Sequence, residues 1–330
     1  MSTYTNKKPS NIIYGLDEKP PISTNILLGF QHTTLMMASL VFSAALISQF
    51  STDQESAQYL IKMILLTMGV GTILQTLQRC KIGSGYLCPI MSGPAYLSAL
   101  SAAGKLGGPA LICGMMFAVG CFELFLAKVI PRVRSLFPPE VVGLLVTAVG
   151  LEAVTLSMTK FLGYAGPGGS YDGRVLVVAI ATLGSMIIPS IWGKGVFRLY
   201  AMLIGCIVGY ITAFITGIIP VMTGLSSLPW LSIPEMAKYG WAFDSHLLIP
   251  FLIAALSSVL KAVGDFTTCQ KINDANWKRS DMTSISRGLT AMGIGNLVVG
   301  AIGGLGLSTS SSNIGLSVVS GVTSRILNRL

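Results

Sequence analysis

Two ionisable residues stand inside a run otherwise apolar enough to cross a bilayer. Lys261 and Asp265 lie four positions apart in FLIAALSSVLKAVGDFTTCQ, so on a helix they share one face. Lys261 is far from either end of that run, about 15 Å from its polar flank at 1.5 Å per residue. An ammonium at that depth is expensive and marks a functional site by default, with its partner to be named. Asp265 is that partner. An ammonium only donates hydrogen bonds, so Lys261 suits a solute that presents oxygens or negative charge. Two roles stay open for it: a protonation switch, or a tethered cation that removes the need for a coupling ion. A second pair, Gln31 and His32, falls within GFQHTTLMMAS in the first apolar run. A His in a span faces protein rather than lipid. A third pair, Asn313 and Gly315, stands in SSSNIGLSVVSG. Glycine admits close approach of backbone to a ligand. This is chemistry of hydrogen-bond recognition, not of bond making. The sequence shows no nucleophile–base arrangement, metal-ligand cluster, Walker loop or GxSxG, so it does not read as an enzyme.

The elements that must position these groups are membrane spans. Hydrophobic residues make up 52% of the 330-residue chain, charged residues 11%, and mean hydropathy is +0.71. Full spans are predicted near 26–47, 57–77, 107–129, 138–158, 175–192, 199–219, 247–269 and 283–302. Two shorter segments differ: GSGYLCPIMSGPAYLSAL, with its apolar part near 88–100, and GGLGLSTSSSNIGLSVVSG, near 308–320. Each opens on Gly, Ser, Thr or Pro and then turns apolar for about half a membrane thickness. Non-helical backbone at membrane depth is tolerated only where it is buried in protein or lines a cavity. Paired broken segments in corresponding positions point to a transporter's binding site, with half-helix amino ends aimed at the solute. The predicted fold class is therefore an all-α polytopic membrane protein of inverted-repeat type, with two broken helices.

The net charge of +9 follows topology. With the amino terminus in the cytoplasm, Lys7, Lys8, Lys19, Arg79, Lys81, Lys128, Arg132, Arg134, Lys194, Arg198, Lys271, Lys278, Arg279, Arg287, Arg325 and Arg329 fall on the inner side. Only Lys105, Lys160, Arg174 and Lys238 fall outside. That is the positive-inside bias, so the basic balance argues for a lipid bilayer and not for nucleic acid. Residues 1–25 read as a cytoplasmic tail, and the Trp-bearing segment 220–246 as an external interfacial element. The six cysteines carry no CxxC and read as packing residues.

GFQHTTLMMAS, PIMSGPAYLS, LFPPEVVGLLVTAVGLE, VGDFTTCQKI and SSSNIGLSVVSGVTSR together resemble the nucleobase–ascorbate transporter family, the nucleobase:cation symporters that include uracil, xanthine and urate permeases. The resemblance runs from about residue 20 onward. It implies seven plus seven spans with short strands in the third and tenth segments; about ten segments are read here, so the last four spans are expected to be missing. It also implies a core domain (26–129 and 247–330) and a gate domain (130–246), elevator-type movement of core against gate, and a multi-pass location in the cell membrane. Further implications are a nucleobase substrate, proton or sodium coupling without another cofactor or metal, and a homodimer. Tyr96 falls where the family places an aromatic ring that stacks on the base, with packing as its alternative, and Ala95 and Tyr96 could offer backbone N–H groups. Gln31 and His32 match a supporting pair in the core. Two positions depart from the pattern: Lys261 replaces a substrate-binding carboxylate, and Ser312 stands where Glu or Gln is usual. Asn313 and Gly315 match the signature. A small-anion carrier on the same fold, or a binding or assembly protein that does not transport, are the alternatives.

Overall fold

A computed structural model describes residues 8–47, 54–77, 82–132, 170–194, 200–218 and 235–325, with isolated positions at 144, 147, 151, 154, 158, 161–164 and 197. It holds two compact units, residues 1–147 with 234–330, and residues 148–233. Apart from those isolated positions, the predicted span 138–158 lies outside the described residues, as does the first part of the 220–246 segment. In the larger unit the helices are α1 (Ile22–Ile47), α2 (Gln54–Thr76) and α3 (Leu97–Val129). The smaller unit contributes α4 (Gly173–Trp192) and α5 (Ala201–Ile215), packed on each other. Back in the larger unit follow α6 (Ser245–Asn273), α7 (Met282–Ile302) and α8 (Ser311–Ser320). Five of these, α2, α3, α4, α6 and α7, are long and apolar enough to cross a membrane; α5 is a shorter apolar helix.

The third segment departs from expectation in its boundaries. The half-segment near 88–100 and the span from 107 are one run, Leu97–Val129, broken at Gly108 (φ 63, ψ −156) ahead of Pro109. Only glycine adopts that backbone cheaply, and proline has no N–H with which to continue a helix. Before this run, strand β1 (Ile90–Ser92) leads into a single 3₁₀ turn, Pro94–Tyr96. Strand β2 (Leu307–Thr309) leads into α8. The strands pair antiparallel, Ile90 with Thr309 and Ser92 with Leu307. Hydrogen bonds from Ser310 N–H to Pro89 O (3.0 Å) and from Gly93 N–H to Gly306 O (3.4 Å) lengthen the ladder.

A two-stranded sheet has two open edges, and here each is closed by a side chain from a neighbouring helix. The Thr72 hydroxyl of α2 accepts from Ile90 N–H (3.1 Å) and donates to Ile90 O (3.2 Å). The Asn296 amide of α7 accepts from Leu307 N–H (2.8 Å) and donates to Leu307 O (3.0 Å). Glycine precedes each of these residues. A β-carbon on Gly71 would meet Ile90 at 3.3 Å, and one on Gly295 would meet Leu307 at 3.3 Å. The same device draws α3 and α7 together: at Gly120, Gly293 and Gly300 an added β-carbon would strike Leu297, Leu124 and Phe117 of the opposite helix. With little hydrophobic force between helices in lipid, such close backbone contact is what holds them.

Residues near the amino end are strapped to the exit of α8. Ile13 N–H donates to Gly321 O (2.7 Å) and Thr323 N–H to Tyr14 O (3.0 Å), and the Arg325 guanidinium pairs with Asp17. Lys8 bonds Glu18 at 2.6 Å and holds that carboxyl below its usual pKa. On the other flank, Trp241 Nε1–H donates to Gly300 O (2.7 Å) with its ring 63% exposed, as suits an interfacial anchor. The strand edges generate a prediction. Thr72→Val leaves both Ile90 backbone groups unpaired at membrane depth and should cost about 2–5 kcal/mol. Thermal unfolding in detergent should show a clear drop for it and a small one for Thr67→Val, whose hydroxyl bonds only its own helix at Met63 O. Equal drops would refute the edge-closing role.

Candidate functional site

The pairing of β1 with β2 brings residues far apart in sequence to one buried polar core. Lys261 and Asp265 form the expected pair, with Nζ at 3.1 Å from Oδ2 and both side chains at 7% exposure or less. Lys261 Nζ also donates to Thr309 O at 2.5 Å. Asp265 accepts from the Thr309 hydroxyl (2.5 Å) and from the Ser311 hydroxyl (2.8 Å). The pair thus fastens α6 to the end of β2 and the start of α8. The Lys261 donors are spent on protein oxygens, so in this conformation it offers no free donor to a solute.

Asn313 is fully buried, and its amide is oriented on both sides. Its Nδ2 donates to the Ser310 hydroxyl (2.8 Å), and its Oδ1 meets His32 Nδ1 at 2.7 Å. With Nδ1 as donor, His32 Nε2 is an acceptor in the neutral ring, and it has no partner. The Gln31 amide, 1% exposed, likewise has neither its donor nor its acceptor engaged. Unpaired buried polar atoms cost about 1–3 kcal/mol each, so Gln31 and His32 carry unmet hydrogen-bonding capacity in this conformation. At the head of α8, Ser310 caps the helix by accepting from Asn313 N–H (3.3 Å). The amides of Ser311 and Ser312 precede the first helical bond, Ile314 N–H to Ser310 O, and form the positive end of that dipole. Ser312 and Gly315 lie on the exposed face of α8, and a β-carbon at Gly315 would meet nothing within 4 Å.

Tyr96 takes the packing alternative in this conformation. It is fully buried, its ring lies against Gly306, and its hydroxyl donates to Glu123. Neither ring face is open for stacking. Ala95 is half-buried in the 3₁₀ turn, so the first helical amide of this segment belongs to Leu97. Glu123 is the residue the sequence reading missed. It is a carboxylate at 0% exposure on α3, bonded also to Asn296 Nδ2 at 2.8 Å. Its signal was available, since Glu123 is an acid inside the predicted span 107–129 and such residues are rare in spans.

A family model described as Permease family (Xan_ur_permease) matches residues 23–329. This chain belongs to that family. Xanthine permease XanQ of Escherichia coli strain K12 is 27% identical over 342 residues, covering 98% of this chain and 72% of XanQ. Uric acid permease PucJ of Bacillus subtilis is 29% identical over 309 residues, covering 90% of this chain and 67% of PucJ. Xanthine permease XanP of Escherichia coli strain K12 is 24% identical over 330 residues, covering 96% of this chain and 71% of XanP. The chain is thus a multi-pass membrane transporter and not an enzyme. Its membrane-spanning helices carry the polar core between them.

The buried pair yields a second prediction. Lys261→Met alone strands Asp265 and should cost about 3–5 kcal/mol, whereas adding Asp265→Asn should recover part of that loss. Melting temperatures of the single and double variants check it. A double variant no more stable than the single one would show that the two charges do not depend on each other.

Proposed function

We propose that this permease carries nucleobases, specifically oxo-purines or pyrimidines such as xanthine, urate or uracil, across the cell membrane. The carrying observation is the buried patch of Gln31, His32 and Asn313. An amide with both functions free and an imidazole acceptor complement the alternating N–H and C=O groups along the edge of an oxo-base. The relatives named as xanthine and uric acid permeases support the same chemistry. The amino end of α8, with Ser312 and Gly315 on its open face, suits the carbonyl oxygens of such a base. Transport would proceed by elevator-type movement of core against gate, with the amino terminus in the cytoplasm, in a protein that could form a homodimer. Lys261 and Asp265 would act as the strut that holds the head of α8, releasing a donor only if the core rearranges. A small-anion carrier is less well supported, because the one buried ammonium is already neutralised by Asp265.

The test is uptake of labelled xanthine, urate and uracil by membrane vesicles containing the full chain. One of the three should be taken up saturably and resist competition by excess sulfate. Gln31→Ala should weaken apparent affinity about tenfold, the equivalent of one lost net hydrogen bond. Asn313→Ala should abolish uptake with protein still in the membrane. Competition by sulfate as strong as by unlabelled xanthine would replace the reading with an anion carrier. Binding in detergent without uptake would leave a binding protein.

A further inference from the structure

Glu123 has no role in the base-binding patch, yet among the described residues it is the one carboxylate in the polar core that lacks a cation. Asp265 has Lys261 at 3.1 Å; Glu123 accepts only from the Tyr96 hydroxyl and from Asn296 Nδ2 (2.8 Å). The charged and titratable groups on the surrounding elements are otherwise occupied or distant. On α6 these are Lys261 with Asp265, and His246 and Lys271 near its ends. On α7 the charged residue is Arg287, nine positions before Asn296, about 13 Å along the helix. On α1, His32 is bonded to Asn313. On α3 itself, Lys105 is exposed about five turns earlier, Cys113 lies on an earlier turn, Cys121 is exposed on a different face, and Lys128 is exposed at the carboxyl end. Of the titratable groups among the described residues, Tyr96, on the turn ahead of α3, is the one that bonds the carboxyl.

A carboxylate buried without a cation in a dry helix interface is most cheaply kept neutral, by taking up a proton. The structure provides for both forms. When ionised, Glu123 accepts from Tyr96 and from Asn296, as drawn. When protonated, it becomes a donor, and the Tyr96 oxygen is the acceptor within reach. The Tyr96 hydrogen must then turn elsewhere. Ser258 Oγ of α6 interacts with the Tyr96 hydroxyl, is buried, and has no hydrogen-bond partner among the described residues. Ser258 stands one helical turn before Lys261. The Asn296 amide that bonds Glu123 also clamps both backbone groups of Leu307. Proton occupancy at Glu123 is therefore mechanically connected to β2 on one side and to the Lys261 turn on the other.

We propose that Glu123 is the proton-coupling carboxylate of this permease: one proton binds its carboxylate on one side of the membrane, reverses the Tyr96 hydrogen bond toward Ser258, and leaves to the other side, restoring the ionised form. The coupling role rests on the transport reading above; the proton site does not.

Two measurements on the full chain in lipid test it. In pH-difference infrared spectra, a carboxylic C=O band should titrate, shift in heavy water, and be lost in Glu123→Gln. In Tyr96→Phe, which removes a donor to the ionised form, its midpoint should rise by about one pH unit. This readout needs no substrate. In vesicles, the parent's uptake of labelled xanthine should rise as the outside is acidified and should accumulate against a gradient. Glu123→Gln should lose both the pH response and accumulation. No Glu123-dependent band, or unchanged pH response and accumulation in Glu123→Gln, overturns the proposal. A titrating band in a protein that moves no nucleobase would retain the proton site and discard the substrate class.

Discussion

Everything in the polar core depends on satisfying extended backbone where no water can do so. Two three-residue strands meet in the buried interior between membrane-spanning helices, and each has one edge that its partner cannot pair. Lipid offers those N–H and C=O groups nothing, at several kcal/mol apiece. The protein answers with a hydroxyl from α2 and an amide from α7, each bonding both backbone groups of one strand residue. Thr72 and Asn296 thus act as one-residue strands. The glycine before each lets the strand come close enough for this to work. Once the strands are satisfied, the chain can change direction inside the bilayer and present helix ends there, which a continuous helix cannot do.

From that constraint the rest of the site follows. Ending β2 at Thr309 puts its carbonyl and hydroxyl where Lys261 and Asp265 can grip them. Starting α8 at Ser311 puts Asn313 against His32 and leaves Ser312 and Gly315 outward. On the opposite flank, the Asn296 that closes β2 also reaches Glu123, and Glu123 holds the Tyr96 hydroxyl. Two polar systems, the Lys261–Asp265 ion pair and the Glu123 carboxyl, therefore share β2 as a common element while being bonded to different atoms of it. A change in either is felt by the strand before it is felt by the other.

Much of this was legible in the chain. Broken segments showed themselves through Gly, Ser and Pro runs ahead of half-length apolar stretches, and helical spacing sufficed to pair Lys261 with Asp265. The boundary at Gly108 was less legible, because SAAGKL looks like a connection while its small residues continue the helix; the stop is set by one left-handed glycine followed by proline. The packing of Tyr96 was not legible for another reason. Its position suggested an open aromatic face, but whether a ring is free depends on what lies across from it, here Gly306, two hundred residues away in sequence. The lysine's commitments were equally hidden, since the Thr309 carbonyl belongs to a strand that only the fold brings near. Glu123 was visible as an intramembrane acid and was passed over because no motif drew attention to it.

The strap between Ile13–Tyr14 and Gly321–Thr323 bears on how the molecule is made. Those contacts join stretches about three hundred residues apart, so the first of them leaves the ribosome long before its partner exists. At a synthesis rate of about 5–20 residues per second, the interval is tens of seconds. Through that time the early segment must stay uncommitted, and its docking can only follow the synthesis of α8 and the residues just after it.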